Sequence, residues 1–241
     1  MTPDFFYPYP TLISGILRKR YKRFFADIEL ESGEIVVAHC PNTGPMTGVC
    51  QIGNPVYLSQ SNNPKRKLAH TWEMIQIDNA WVGVNTALPN QVIKSALTQK
   101  IFPELADLYE EVKSEVPYGK DKKSRVDFLL TSAEHPPIYL EVKNTTLSQG
   151  SLALFPDTVT TRGQKHLQEL TALLPDAKSV MLYFINRGDC TEFNSGDEFD
   201  PTYGKLLKEG VKKGLMVLPC RFEVSPEGIR YLGLAKFDAK F

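Results

Sequence analysis

Apolar and polar residues alternate along this chain in short blocks, and the period of that alternation changes once. Between Thr11 and Leu30 it has the strand period of two, with Phe24, Ala26, Ile28 and Leu30 set against Phe25, Asp27 and Glu29. Gly15 predicts a bend in this stretch, Ser32-Gly33 a turn, and Glu34 to His39 a second strand. Residues 40 to 48, CPNTGPMTG, read as a loop. Further strands are predicted at Pro55 to Ser59, Thr71 to Ile77 and Ala80 to Val84. This succession of short strands predicts a small β-barrel. The OB-fold is the commonest five-stranded form, and an SH3-like barrel would give a similar pattern. Ahead of the strands, Pro3, Pro8 and Pro10 among aromatic residues predict an extended arm packed on a body.

Past residue 85 the period lengthens. Pro89 to Lys100 fits a helix with Val92, Ile93 and Leu97 apolar and Asn90 as its cap. Lys113 to Tyr118 is expected as a strand, ahead of a hairpin within Ser124 to Asn144. A helix is predicted from about Thr158 to Leu174, with Val159, Leu167, Leu170 and Leu174 at helical spacing. Lys178 to Arg187, KSVMLYFINR, reads as a strand buried on both faces. Asp200-Pro201 then supplies a cap and a proline at the first helical position, Lys212-Lys213-Gly214 a helix end, and Leu215 to Val224 a strand. Helix, three strands, helix, strand, helix, strand is the order of an α/β domain with a mixed sheet. The chain is therefore read as an OB-like barrel over residues 1–80 and an α/β domain over residues 81–241, meeting between Ile77 and Asn85.

Composition mainly excludes. Lys plus Arg equals Asp plus Glu at 28 each, so a nucleic-acid partner has to be sought in local patches. Cys40, Cys50, Cys190 and Cys220 form no C-x-x-C pair and have no His at zinc-ligand spacing, which is the pattern of reduced thiols in a cytoplasmic protein. The opening MTPDFFYPYP lacks the basic and apolar regions of a signal peptide. The longest apolar run, Val180 to Ile185, is too short to cross a bilayer, so no membrane partner is expected. No G-x-S-x-G, Walker A or dinucleotide fingerprint occurs.

Candidate chemistry begins in the hairpin SRVDFLLTSAEHPPIYLEVKN. Val126, Phe128 and Leu130 are expected on one face of its first strand, and Ile138, Leu140 and Val142 on one face of its second. Asp127 falls on the opposite face of the first, as do Glu141 and Lys143 on the second. If the hairpin is symmetric about Glu134, Asp127 stands across from Glu141. Two close carboxylates resist ionising together, and a divalent cation between them would remove that penalty. Mg²⁺ or Mn²⁺ suits such oxygen ligands, and phosphodiester hydrolysis needs a hard cation of this kind. Lys143 would then orient the attacking water or neutralise charge on the pentavalent phosphorane. Glu104 and Glu115 are candidates for a third acid. The chain holds five [Asp/Glu]-x-Lys matches, starting at Glu111, Asp121, Glu141, Asp176 and Asp238. Only the one at Glu141 lies in an alternating strand with an acid in matching register. The competing reading is a solvent-facing hairpin with Lys143 in a salt bridge.

Two further groups suit nucleic acid. Arg18, Lys19, Arg20, Tyr21, Lys22 and Arg23 are consecutive. On a strand, Lys19, Tyr21 and Arg23 would share one face, and Arg18, Arg20 and Lys22 the other. Lys65, Arg66 and Lys67 would extend the patch. A charged edge strand protected from aggregation gives the same sequence. Arg162, Gln164 and Lys165 lie on the helix after the hairpin, where a polar face could meet phosphate beside the acids. His166 next to them is read as a positioned or surface histidine, not a metal ligand.

The α-β-β-β-α-β order, with Asp127 on the second strand and Glu141-Val142-Lys143 on the third, resembles the PD-(D/E)xK nuclease superfamily. More specifically, LRKRYKRFFADIEL, HCPNTGPMTG, NPKRKLAHTWE, VGVNTALPN, YGKDKKSRVDFLL, YLEVKNTTL, FPDTVTTRGQKHLQEL and SPEGI together resemble the sugar fermentation stimulation protein A (SfsA) family over nearly the whole chain. The resemblance implies an N-terminal OB-like domain, a C-terminal nuclease-like domain and DNA binding, with Asp127, Glu141, Lys143, Gln164 and Lys165 matching its motifs. Pro45 and Thr161 depart from it, where a small residue and an acid are usual. The expectation is a DNA-binding protein with a metal-dependent nuclease site. A non-catalytic regulator of sugar metabolism on the same scaffold, and a sugar-binding or metabolic protein, are the alternatives. RNA in place of DNA, and a monomer or a homodimer, stay open.

Overall fold

The computed structural model describes residues 3–119 and 124–238. The match starting at Asp121 lies outside the described residues, and the one at Asp238 runs out of them.

β1 (Phe6–Pro8) is the expected arm. The barrel is built from β2 (Leu12–Tyr21), β3 (Phe25–Leu30), β4 (Ile35–His39), β5 (Pro55–Gln60) and β6 (His70–Ile77). They run in the order β4-β3-β2-β5-β6, and a parallel β4–β6 pairing at Ala38↔His70 closes the ring. This is an OB barrel. Ala26, Ile28, Ala38, Val56, Leu58 and Trp72 fill it. Gly15 lies inside β2, where an added Cβ would meet Ile28 Cγ2 at 2.5 Å. Close strand approach, and no break at this point, is what it provides.

β7 (Ala80–Gly83) belongs to both halves, pairing with β6 and, at Trp81↔Val224, with a strand of the second unit. That unit runs α1 (Leu88–Thr98), β8 (Glu111–Tyr118), β9 (Ser124–Thr131), β10 (Ile138–Thr145), β11 (Leu147–Gln149), β12 (Leu152–Phe155), α2 (Thr161–Ala172), β13 (Lys178–Ile185), β14 (Glu192–Ser195), α3 (Pro201–Lys212), β15 (Met216–Val224), β16 (Gly228–Leu234) and β17 (Lys236–Phe237). Its mixed sheet has the order β7-β15-β13-β10-β9-β8, with β13 parallel to β10 and β15. Val180, Leu182 and Phe184 face α1, and Met181, Tyr183 and Ile185 face α2 and α3, so β13 is covered on both sides as its sequence implied. A small second sheet, β11-β12-β14-β17, was not foreseen. β1 pairs with β16, which places the arm on the second unit although the 1–80 grouping put it with the barrel.

Several boundaries shift for local reasons. Ala87 is the N-cap of α1, so Asn90 lies inside the first turn with its side chain free for another partner. α2 begins at Thr161 behind the cap Thr160, leaving Val159 outside the helix and 62% exposed. α3 starts as expected. The Asp200 carboxylate accepts from Tyr203 N (3.0 Å), Thr160 N (2.9 Å) and the Gln164 amide (2.9 and 3.0 Å). Asp200 is buried, so Asp200→Ala strands all three donors. A loss of roughly 2 kcal/mol is expected, read as a lower denaturant midpoint at unchanged slope.

Candidate metal and nucleic-acid site

β9 and β10 pair in the expected register, Leu130↔Ile138 through Phe128↔Leu140, and the ladder ends just before Asp127 and Glu141. From there the Asp127 side chain replaces the backbone, with Oδ2 accepting from Val142 N at 2.7 Å. β9 also changes face at this residue. Phe128 and Leu130 pack under α1, whereas Val126 packs in the cluster beneath α2, contrary to their expected common face. On the neighbouring strand Glu115 has φ 56° at the matching point of the β8–β9 register. The second Asp127 oxygen accepts from Asn90 Nδ2 at 2.8 Å. Asn90 therefore holds an acid and caps nothing.

Glu141 is 3% exposed. Its Oε1 accepts from Lys143 Nζ at 2.7 Å and from His166 Nδ1. A carboxylate only accepts, so Nδ1 carries the proton of that bond, and the Lys143 ammonium 3.1 Å from Nδ1 is a neighbour and not its donor. Arg162 Nε approaches the other ring nitrogen at 3.5 Å. Glu141 Oε2 is buried with no partner among the described residues. Lys143 is salt-bridged, as the competing reading held, but within a nearly buried cluster and not on a solvent-facing hairpin.

Burial first, and the Glu141 charge second, push the Asp127 carboxyl up to about 6 against the pull of its two hydrogen bonds. Burial also pushes Glu141 up, but the His166 bond and the Lys143 charge outweigh it and hold that carboxyl below its usual range. Both acids line an open cleft of about 280 Å³ with Thr86, Asn90, Lys143 and Arg162. An orphaned buried oxygen beside a carboxylate that resists ionisation fits a hard divalent cation. Among the described residues no group of three or more His, Cys, Asp or Glu gathers as a ligand set. Glu104 and Glu115 are exposed and outside the cleft lining.

The other nominated residues part company. Gln164 is committed to Asp200, and Lys165 forms an i,i+4 pair with Glu169 at 3.5 Å. Neither lines the cleft; Arg162 does. The basic run is not one strand. It bulges between Leu17 and Lys19, and Lys22 and Arg23 lie in a turn with φ 48° and 64°. Arg18 pairs with Glu29 at 2.7 Å. Arg20 donates to the carbonyls of Asn42 and Gly44 at 2.9 Å each and so braces the 40–48 loop. Lys19, Lys22 and Arg23 are exposed, as are Lys65, Arg66 and Lys67, with Arg66 donating to Thr71 Oγ1 at 2.9 Å.

Of the two roles the sequence left to His166, positioned or surface, the structure shows the first, and its partner Glu141 is what the sequence did not give. His166 lies on the buried face of α2 with Gly163, Leu167 and Leu170, and a histidine inside an apolar stripe was the available signal. By fixing Oε1 it leaves Oε2 free. If Glu141 holds a cation, His166→Ala is expected to weaken Ca²⁺ or Mn²⁺ binding about 10- to 100-fold in calorimetric titration, and His166→Asn, which keeps a donor near Nδ1, to recover most of it. Equal affinities in wild type and His166→Ala would refute this.

Comparison with known proteins matches both halves. Residues 19–84 fit the model of the SfsA N-terminal OB domain, and residues 87–228 that of the sugar fermentation stimulation protein RE domain. A sugar fermentation stimulation protein homolog of Rippkaea orientalis is 73% identical over 241 residues, covering 100% of both chains. One from Synechocystis sp. is 70% identical over 233 residues, covering 97% of this chain and 98% of its own. The structure of Pyrococcus furiosus SfsA in complex with Ca²⁺ superposes with a TM-score of 0.86 at 22% identity, over 96% of this chain and 98% of that one. The chain belongs to the sugar fermentation stimulation protein (SfsA) family.

Proposed function

We propose that the protein binds DNA and hydrolyses phosphodiester bonds at a divalent-cation site held by Asp127 and Glu141. The observation that carries this reading is Glu141 Oε2, buried without a partner among the described residues, beside an acid whose ionisation Glu141 itself opposes. Evolution and folding tolerate such an atom where a ligand satisfies it. The relative from Pyrococcus furiosus is described with Ca²⁺, a hard cation of the class these oxygens suit. Mg²⁺ or Mn²⁺ would polarise the phosphate and lower the pKa of water.

The chain's own residues do the rest. Asn90 and Val142 N fix the Asp127 carboxylate. His166 fixes Glu141, and Lys143 sets a positive charge at the cleft wall where negative charge builds on the phosphoryl oxygens. Arg162, exposed at the cleft edge, is placed to hold a neighbouring phosphate. The exposed Lys19, Lys22 and Arg23 extend the positive track onto the barrel.

One observation favours the non-catalytic alternative, a DNA-binding regulator: Lys143 is engaged by Glu141 and must leave that pair to meet substrate. The test is incubation of single-stranded, duplex and branched DNA, and RNA, with Mg²⁺ or Mn²⁺, wild type beside Asp127→Ala. Cleavage by wild type alone supports the nuclease. Equal activity in both preparations identifies a contaminant and overturns it.

A further inference from the structure

The inner and outer faces of the barrel strands can be assigned residue by residue. Ala26, Ile28 and Ala38 are in the core, so Phe25, Asp27, Val37 and His39 point outward. Arg20, opposite Ala26, shares the inner face, and Tyr21, opposite Phe25, the outer one. Tyr21, Phe25 and His39 therefore form one row across β2, β3 and β4 through the pairs Tyr21↔Phe25 and Phe25↔His39. The Tyr21 and Phe25 ring centroids are 5.5 Å apart. All three side chains are half-buried, and Phe24, beside them in the turn, is 49% exposed.

The charge around this row is positive. Lys19 Nζ stands 5.4 Å from the Tyr21 ring centroid, and Lys22 and Arg23 are exposed in the adjoining turn. Arg66 is close enough to His39 that, after burial, its charge is the second cause lowering the imidazole's pKa. Of the nearby acids, Asp27 meets the Tyr21 hydroxyl while its Oδ1 is buried without a partner among the described residues, and Glu29 pairs with Arg18.

We propose that this outward row is a stacking platform for unpaired nucleobases, so that the nucleic acid is single-stranded where it crosses the barrel. This rests on the nucleic-acid reading above and narrows its substrate. Rings interleaved with cations suit a single strand, whose bases expose their faces and whose phosphates need neutralising. A duplex hides those faces, and its major groove is entered by a helix or a two-stranded ribbon. The platform also leads to the acids. Cys40 N donates to Phe24 O at 2.8 Å, Thr86 Oγ1 to Pro41 O at 3.1 Å, and Thr86 lines the cleft of Asp127 and Glu141. Arg20 has no phosphate role in this arrangement; it positions the loop between platform and cleft.

The experiment is fluorescence anisotropy with a labelled oligonucleotide and its blunt duplex, in EDTA so that nothing is cut. Wild type is compared with Phe24→Ala and Phe25→Leu. Phe25→Leu keeps apolar cover on β3 and removes only the ring. The single strand should bind more tightly than the duplex. Each ring substitution should weaken the single strand roughly 5- to 150-fold and leave duplex binding and the salt slope unchanged. Duplex binding as tight as single strand, or ring variants that bind as wild type does, would overturn the platform. A wild type that binds the single strand in this way but never cuts it with Mg²⁺ would sink the nuclease reading alone.

Discussion

Lys143→Ala is expected to slow Mg²⁺-dependent cleavage by about 10²- to 10³-fold while leaving cation binding intact. The magnitude is that of removing one charged donor from the developing charge, which Lys143 meets on leaving its pair with Glu141. The split between binding and rate follows from position. Lys143 Nζ contacts Glu141 Oε1, not the free Oε2, and its charge repels an incoming cation. Its removal should keep or tighten Ca²⁺ affinity. Glu141→Gln should instead lose the cation and the activity together. Single-turnover rates and calorimetry on the same preparations decide the matter, and parallel losses of rate and affinity in Lys143→Ala would assign the lysine a structural role only.

Asp127 should make the metal-free protein less stable as pH rises. Its folded pKa of about 6 lies above the ordinary carboxylate value of 3.8, so between those values the folded state holds a proton that the unfolded chain has released. Its contribution falls as pH climbs from about 4 to about 6 and stays low above that. The span corresponds to about 3 kcal/mol. Glu141, held below its usual range, contributes with the opposite sign, so the Asp127 part is read as a difference from Asp127→Asn. That variant can keep both hydrogen bonds if the Asn90 amide turns over. In EDTA it should gain on wild type between pH 4 and pH 7, and saturating Ca²⁺ should reverse the gain by stabilising wild type alone. A difference in unfolding free energy that does not change with pH would contradict the assignment.

Much of this was legible in the chain because it depends on local periodicity. Alternation located the barrel strands, and the symmetry of the hairpin about Glu134 fixed the register that brings Asp127 towards Glu141. Asp200-Pro201 marked a helix start because capping is a matter of neighbouring residues. What was hidden depends on contacts distant in sequence or on unusual backbone. Glu141 and His166 are 25 residues apart, and no spacing rule connects a strand acid to a histidine on a later helix. Lys22 and Arg23 adopt positive φ without a glycine to announce it, so the basic run read as one strand. Arg20 counted as a phosphate contact because sequence cannot show that a cation at a barrel mouth faces two carbonyls. The destination of the arm, β16, is more than two hundred residues away.

The shared strand β7 has a further meaning. It is hydrogen-bonded to the barrel on one side and reaches β15 on the other, while Gly83 and Asn186 exchange bonds of 3.0 Å at its end. An added Cβ on Gly83 would meet Asn186 Oδ1 at 2.2 Å, so the junction accepts no side chain there. This bonded seam resists any change in the spacing between the barrel's rings and the paired acids. A strand gripped at one and cut at the other would be measured before it is severed, and its products would share a length set by the protein's own dimensions.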